Sequence, residues 1–393
     1  VILPILFFAA GSCARPEIVS NNSAVLSAKE YLKQADECFK KGEYDKTIEY
    51  CTKALERDLY LDVAYAARGV ARGKKGDIDG AICDFNMTIS INPRNSDAYY
   101  NRGVLLGNKG DYEGEIKDYS TAIEINPKDI AAYYNRGVAL YYKKDLNGAI
   151  KDYSKVLAIE PNRADVYCNR GAALASKGDY GAAIADFTKA AEIAPQNADI
   201  YYNRGRAFNN MKNLDAAKAD YTKAIELNPA LWGAYYNRGL AKTVEGDLDG
   251  AIKDYTYAIV VNSKCEDAYY YRGNALSSKG DIVGAVNDYN NAIEINPKFS
   301  EAYYNRGTLL ARMNDYEGAI NDFNKAIESD PKYAKAYGNR GSVYYMKKEF
   351  EAALKDYEKC LELEPNIEQS EDIKEIISKI KKQLGEVITP KKE

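Results

Sequence analysis

The sequence contains no histidine. That excludes Ser-His-Asp and Cys-His catalysis and every His-ligated zinc or haem site. It also lacks a basic excess: 54 Lys and Arg stand against 58 Asp and Glu, a net charge of −4, which argues against nucleic acid as a partner. The seven cysteines show no C-x-x-C or other metal-ligand spacing, so no metal is expected. Tryptophan occurs once and phenylalanine nine times, whereas tyrosine occurs 35 times. A bias of that kind arises when one short pattern is copied many times. With 46% apolar and 28% charged residues among 393, the composition is that of a globular chain with ample material for a core.

The copying is visible by subtraction. Arg-Gly pairs end at Gly69, Gly103, Gly137, Gly171, Gly205, Gly239, Gly273, Gly307 and Gly341, always 34 residues apart. Prolines keep the same interval at Pro93, Pro127, Pro161, Pro195 and Pro229, then at Pro297, Pro331 and Pro365, with Ser263 where one is missing. A fixed period without insertions marks a solenoid and overrides the two or three domains that length alone would imply.

Each period reads as two helices. In 96–129, Tyr99, Gly103 and Leu106 recur at helical spacing on a first helix, and Ile116, Tyr119, Ala122 and Ile123 on a second. Gly110 suits a left-handed helix end, Asp111 an N-cap, and Pro127 a stop. A helix pair this small cannot bury its apolar faces alone, so neighbours must stack.

With residue 62 as position 1, position 4 is Tyr in nine periods, Tyr65 to Tyr337, and position 20 is Ala in eight, Ala81 to Ala353. Position 24 is Phe85, Tyr119, Tyr153, Phe187, Tyr221, Tyr255, Tyr289, Phe323 and Tyr357. This pattern resembles the tetratricopeptide repeat (TPR): aromatic at 4, Gly at 8, Ala at 20, aromatic at 24, Ala at 27, Pro at 32. The resemblance implies an all-α, right-handed α-solenoid of ten 34-residue helix-turn-helix repeats. They occupy 28–61, 62–95, 96–129, 130–163, 164–197, 198–231, 232–265, 266–299, 300–333 and 334–367. The first is degenerate, with Ala35, Cys51 and Leu59 at the marker positions. Residues 368–385 are expected to form a capping helix, with Ile373, Ile376, Ile377, Ile380 and Leu384 on one face, and 386–393 a disordered tail.

Three departures carry expectations. Glu115 stands at position 20, where a small residue lets the helices approach; the site should be loose or strained unless the carboxylate reaches solvent. Ser263 makes the junction after the seventh repeat a candidate soft point. Position 7, usually Leu in the family, is Arg in nine repeats, and position 23 is Asp in the same nine, from Arg68 with Asp84 to Arg340 with Asp356. The first repeat lacks both, having Gln34 and Tyr50. Joint presence and joint absence predict that the two side chains pair as a structural ladder.

The apolar stretch 1–10, followed by Gly11, Ser12 and Cys13, fits the h-region of a signal peptide and resembles a bacterial lipoprotein box. Residues 1–13 are then a leader ending at the lipidation site Cys13, and 14–27 a tether. Simple cleaved export and an uncleaved anchor remain alternatives. The expected location is the periplasm or an outer membrane, with the cytoplasm as alternative. Among the other cysteines, Cys38 and Cys51 alone lie near enough in repeat geometry for a disulfide, and Cys51 and Cys360 fall on core positions.

No catalytic constellation, phosphate loop or cofactor motif appears, so a non-catalytic scaffold for a protein or peptide is expected. The alternative is an accessory subunit of a carbohydrate- or peptidoglycan-processing complex. By resemblance, positions 2, 5, 6, 9, 12 and 13 face the concave groove. Position 6 is Asn101, Asn135, Asn169, Asn203 and Asn237 in consecutive repeats, and Asn305 and Asn339 later, interrupted by Ala67 and Tyr271. Position 5 is Tyr100, Tyr134, Tyr202, Tyr236, Tyr270 and Tyr304. The asparagine row is similar to the ladder in the repeats of O-linked N-acetylglucosamine transferases. An amide can pair with an extended peptide backbone through donor and acceptor alike, and Tyr adds rigid contact area. The competing reading is that the asparagines are framework. A clamp for C-terminal carboxylates is rejected, because position 2 carries Asp97, Asp165, Asp199, Asp267 and Glu301.

Overall fold

A computed structural model describes residues 26–385. The leader 1–13 with Cys13, nearly all of the tether and the tail 386–393 lie outside the described residues. Among those described there are 21 helices and no strand, in two compact units, one ending at Ile193 and the other beginning at Ala194.

The first unit contains α1 (Ala28–Lys40), α2 (Tyr44–Arg57), α3 (Asp62–Lys75), α4 (Ile78–Ile91), α5 (Ser96–Asn108), α6 (Tyr112–Ile125), α7 (Ile130–Tyr142), α8 (Leu146–Ile159), α9 (Ala164–Lys177) and α10 (Tyr180–Ile193). The second contains α11 (Ala198–Asn210), α12 (Leu214–Leu227), α13 (Trp232–Glu245), α14 (Leu248–Val261), α15 (Glu266–Ser278), α16 (Ile282–Ile295), α17 (Ser300–Arg312), α18 (Tyr316–Ser329), α19 (Ala334–Met346), α20 (Phe350–Leu363) and α21 (Ser370–Gln383). Odd-numbered helices up to α19 open a repeat and even-numbered ones close it.

The turn inside each repeat follows local chemistry. Gly110 takes φ +80° after α5, and the Asp111 carboxylate then accepts the Gly114 N–H at 2.9 Å, capping α6. Lys144 makes the same turn in the next repeat at φ +65°. Where position 31 is Asn or Asp, the link to the following repeat is an Asx turn. Asn126 Oδ1 accepts Lys128 N–H at 3.2 Å and its carbonyl accepts Asp129 N–H at 3.1 Å, around Pro127. At Ser263 the turn closes identically, Asn262 Oδ1 accepting Lys264 N–H at 3.2 Å and its carbonyl accepting Cys265 N–H at 3.3 Å. The asparagine, not the proline, supplies the turn's hydrogen bonds, so the missing proline leaves the junction's geometry intact.

The core of each of the nine later repeats is the aromatic at position 24 set against the glycine at position 8. Tyr153 is 2% exposed, and a Cβ on Gly137 would fall 2.8 Å from its ring. Ala149 at position 20 is fully buried beside it. Small residues at 8 and 20 thus let two helices close over one ring. At the C-terminal end, Ile373 and Ile380 of α21 are buried, and Ile376, Ile377 and Leu384 pack with them against Tyr357 and Cys360. The five residues of the expected apolar face all take part, so α21 caps the last repeat. Cys38 and Cys51 are both free thiols, not a disulfide. Burial pushes the Cys51 thiol up to about 12, which makes it an inert core residue.

Candidate functional site

The Arg–Asp ladder fixes the helices that carry the other candidate residues. In every one of the nine repeats the position 7 guanidinium meets the position 23 carboxylate. Arg136 is typical, its Nε donating to Asp152 Oδ2 at 2.7 Å and its Nη2 to Oδ1 at 2.8 Å. The aspartates are buried: Asp152 is 2% exposed and Asp118 3%. Each arginine also lies over the position 4 tyrosine, with Arg136 Cζ 5.7 Å from the Tyr133 ring centre. Within each unit the remaining Nη1 reaches back to position 25 of the preceding repeat. It finds Thr52 Oγ1 at 3.1 Å from Arg68, Ser120 Oγ at 3.0 Å from Arg136, and Thr222 Oγ1 at 2.9 Å from Arg238. One side chain therefore joins two helices of its own repeat to the repeat before. These arginines are structural and carry no free charge for a ligand.

Within each unit, the expected site residues stand on one face, that of the repeat-opening helices. Asn101 and Tyr100 lie on α5, Asn135 and Tyr134 on α7, and Asn169 on α9; in the second unit, Asn203 and Tyr202 lie on α11, and Asn237 and Tyr236 on α13. All are half-buried. Three of the five asparagines are joined across repeats. Asn135 Nδ2 donates to the Tyr100 hydroxyl at 3.0 Å, Asn169 to Tyr134 at 3.1 Å, and Asn237 to Tyr202 at 3.2 Å. Asn305 with Tyr270 and Asn339 with Tyr304 repeat the link at 3.2 and 3.1 Å. Asn101, which has no tyrosine 35 residues before it, donates instead to the Asp97 carbonyl of its own helix at 2.8 Å. Tyr236 meets Tyr271 edge-on, with centroids 6.0 Å apart, where the asparagine row is broken.

Two consequences follow. At Asn135, Asn169 and Asn237 an amide N–H is spent on framework, so these positions offer chiefly their Oδ1 acceptors where the sequence alone allowed donor and acceptor equally. The tyrosine rings are also part of the packing. Tyr100 lies 5.7 Å from Tyr119, and Tyr134 and Tyr202 each lie 6.2 Å from the position 24 ring of their repeat. Burial raises the Tyr100 phenol above its ordinary range, partly offset by the bond from Asn135. What the face presents is a periodic set of carbonyl acceptors framed by tyrosine edges. Among the described residues no group of three or more His, Cys, Asp or Glu could hold a metal, and no helix is long and apolar enough to cross a membrane.

Comparison with known proteins agrees with this architecture. Tetratricopeptide repeat models match residues 164–197, 198–231, 300–333 and 334–367, residues 108–144, 139–178 and 273–314, and residues 85–117. No curated protein matches the chain. Among solved structures, YrrB, described as a TPR protein with an unusual peptide-binding site, is 28% identical, with a TM-score of 0.43 over 48% of this chain and 97% of its own. MamA is 30% identical, with a TM-score of 0.40 over 44% of this chain and 94% of its own. Yeast Tom70 is 16% identical, with a TM-score of 0.42 over 91% of this chain and 96% of its own. The family matches together cover 85–231 and 273–367, more than half of the 393 residues, and the chain belongs to the tetratricopeptide repeat family.

Proposed function

We propose that the protein is a non-catalytic interaction scaffold that holds an extended peptide segment of a partner against the face of its repeat-opening helices. The observation that carries this reading is the row of half-buried asparagines at a 34-residue spacing, in which Asn135, Asn169 and Asn237 each give an amide N–H to a tyrosine of the preceding repeat and keep Oδ1 as an acceptor. Such a row accepts backbone N–H donors whatever the side chains of the segment, while the tyrosine edges supply contact area. Family membership supports a scaffold role only in general, since one fold hosts many functions.

The test separates framework from ligand contact. Peptides selected from a random display library on the wild-type chain serve as probes. Replacing Tyr100 and Tyr134 with Phe removes ladder hydrogen bonds and keeps the acceptors; replacing Asn135 and Asn169 with Ala removes both. Both pairs should lower the melting temperature. The asparagine pair alone should weaken peptide binding by more than tenfold, about 1.5–2 kcal/mol for two net hydrogen bonds. Equal losses of affinity in both pairs would make the row framework only.

The same reading places the scaffold at a bacterial envelope membrane through lipidated Cys13, and rests there on the sequence of residues 1–13. Expressed in a bacterium, the full chain should incorporate labelled palmitate and partition into detergent, and Cys13→Ala should do neither. An unlabelled wild type rejects the anchor. Stable anchoring is expected because several acyl chains hold a protein where one does so only marginally.

A further inference from the structure

Position 20 is a buried alanine in eight repeats and Glu115 in one. The exception is accommodated from the opposite helix. A Cβ on Gly107 would lie 2.6 Å from Glu115 Cδ and 2.7 and 2.8 Å from its carboxylate oxygens. The carboxylate thus rests against α5 in room that glycine leaves. Tyr119 lines a cleft beside it. Among the described residues no Lys or Arg pairs with Glu115. The two lysines nearest in sequence to the lining residues are engaged elsewhere, Lys109 with Asp79 at 2.7 Å and Lys143 with Glu113 at 3.0 Å.

The carboxylate borders a cleft of about 270 Å³ between α5, α6 and α7, walled by Tyr112, Tyr142, Val138, Asn108 and Asn135. The Tyr112 and Tyr142 rings stack at 6.2 Å with an interplanar angle of 23°, and both are partly exposed, at 39% and 63%. An unpaired carboxylate beside two aromatic faces attracts a cation twice, by charge and by the ring quadrupoles. Val138 and the rings suit the apolar stem of a long basic side chain. An anionic side chain would be repelled, and an apolar one would leave the carboxylate desolvated without a partner.

We propose that this cleft receives the cationic side chain of a lysine or arginine in an extended partner segment lying along the α5–α7 face. The inference rests on the peptide-scaffold reading and adds to it a fixed anchor position. Burial raises the Glu115 carboxyl above its ordinary range, outweighing the opposing influence of the Tyr119 hydroxyl, so cation binding should weaken as pH falls through that raised value. The other titratable groups facing it are Tyr112 and Tyr119 of its own helix side and Tyr142 of α7; α5 contributes none.

The experiment uses the whole chain and random-library peptides selected on it. Selected peptides should share one Lys or Arg. Exchanging that residue for norleucine, or introducing Glu115→Gln into the protein, should each weaken binding about tenfold or more, with little further loss when combined. Glu115→Gln keeps the shape, and its melting temperature should be unchanged or higher. Peptides that bind wild type and Glu115→Gln equally overturn this inference and leave the scaffold reading intact. Failure to select any peptide overturns both. Spermidine bound in a Glu115-dependent manner with no peptide selected would identify a free polyamine as the ligand and likewise reject the peptide source.

Discussion

Arg136→Leu should lower the stability of the chain by about 3–5 kcal/mol, the cost of stranding one partner of a buried ion pair. Asp152 is 2% exposed and takes two hydrogen bonds from Arg136; without them its charge has neither water nor cation. The same change removes the bond to Ser120 and the ring contact with Tyr133. Adding Asp152→Leu should recover most of the loss, because two apolar side chains in place of the pair leave no charge to solvate. Urea unfolding of the two single variants and the double gives the coupling directly. A double variant no more stable than Arg136→Leu would mean that the pair is not a unit.

Gly137→Ala should cost about 1–3 kcal/mol although alanine is the better helix former by about 1 kcal/mol. The new methyl would stand 2.8 Å from Tyr153 Cε1, with two more ring atoms at 3.1 and 3.2 Å. The ring has no room to retreat: it is 2% exposed and packs among Ala149, Val156 and Val166. Gly181→Ala in α10 is the control. A Cβ there meets nothing within 4 Å, so backbone propensity alone acts and stability should rise by about 0.4–1 kcal/mol. Opposite signs in thermal melts confirm the close packing; a stabilised Gly137→Ala refutes it.

The repeat, the helix pairing, the Arg–Asp ladder and the capping face of α21 were legible in the sequence because each recurs or alternates in register. The third contact of the arginine was legible too, and was missed. The residue 16 before each one is a hydroxyl or amide, Thr52, Asn86, Ser120 or Ser154 in the first unit, yet only its distance from Nη1 shows that it is a partner. The asparagine row was legible as a row but not as half a hydrogen-bonded pair, since Tyr100 and Asn135 sit 35 residues apart, one off the period. Glu115 was visible as an anomaly. That Gly107 yields space for it was not, because a glycine at position 12 means nothing until the opposing helix is in place.

The backward reach of each arginine also sets how the array comes apart. A repeat that loses its N-terminal neighbour loses an acceptor for Nη1, and the guanidinium must then turn to water. Within each unit the repeats are thereby coupled to their nearest neighbours like spins in a row, and a melted repeat raises the chance that the next one melts. Opening should start at free ends and travel as a front, so amide protons should exchange fastest in the outermost helices and slowest in the middle of a unit.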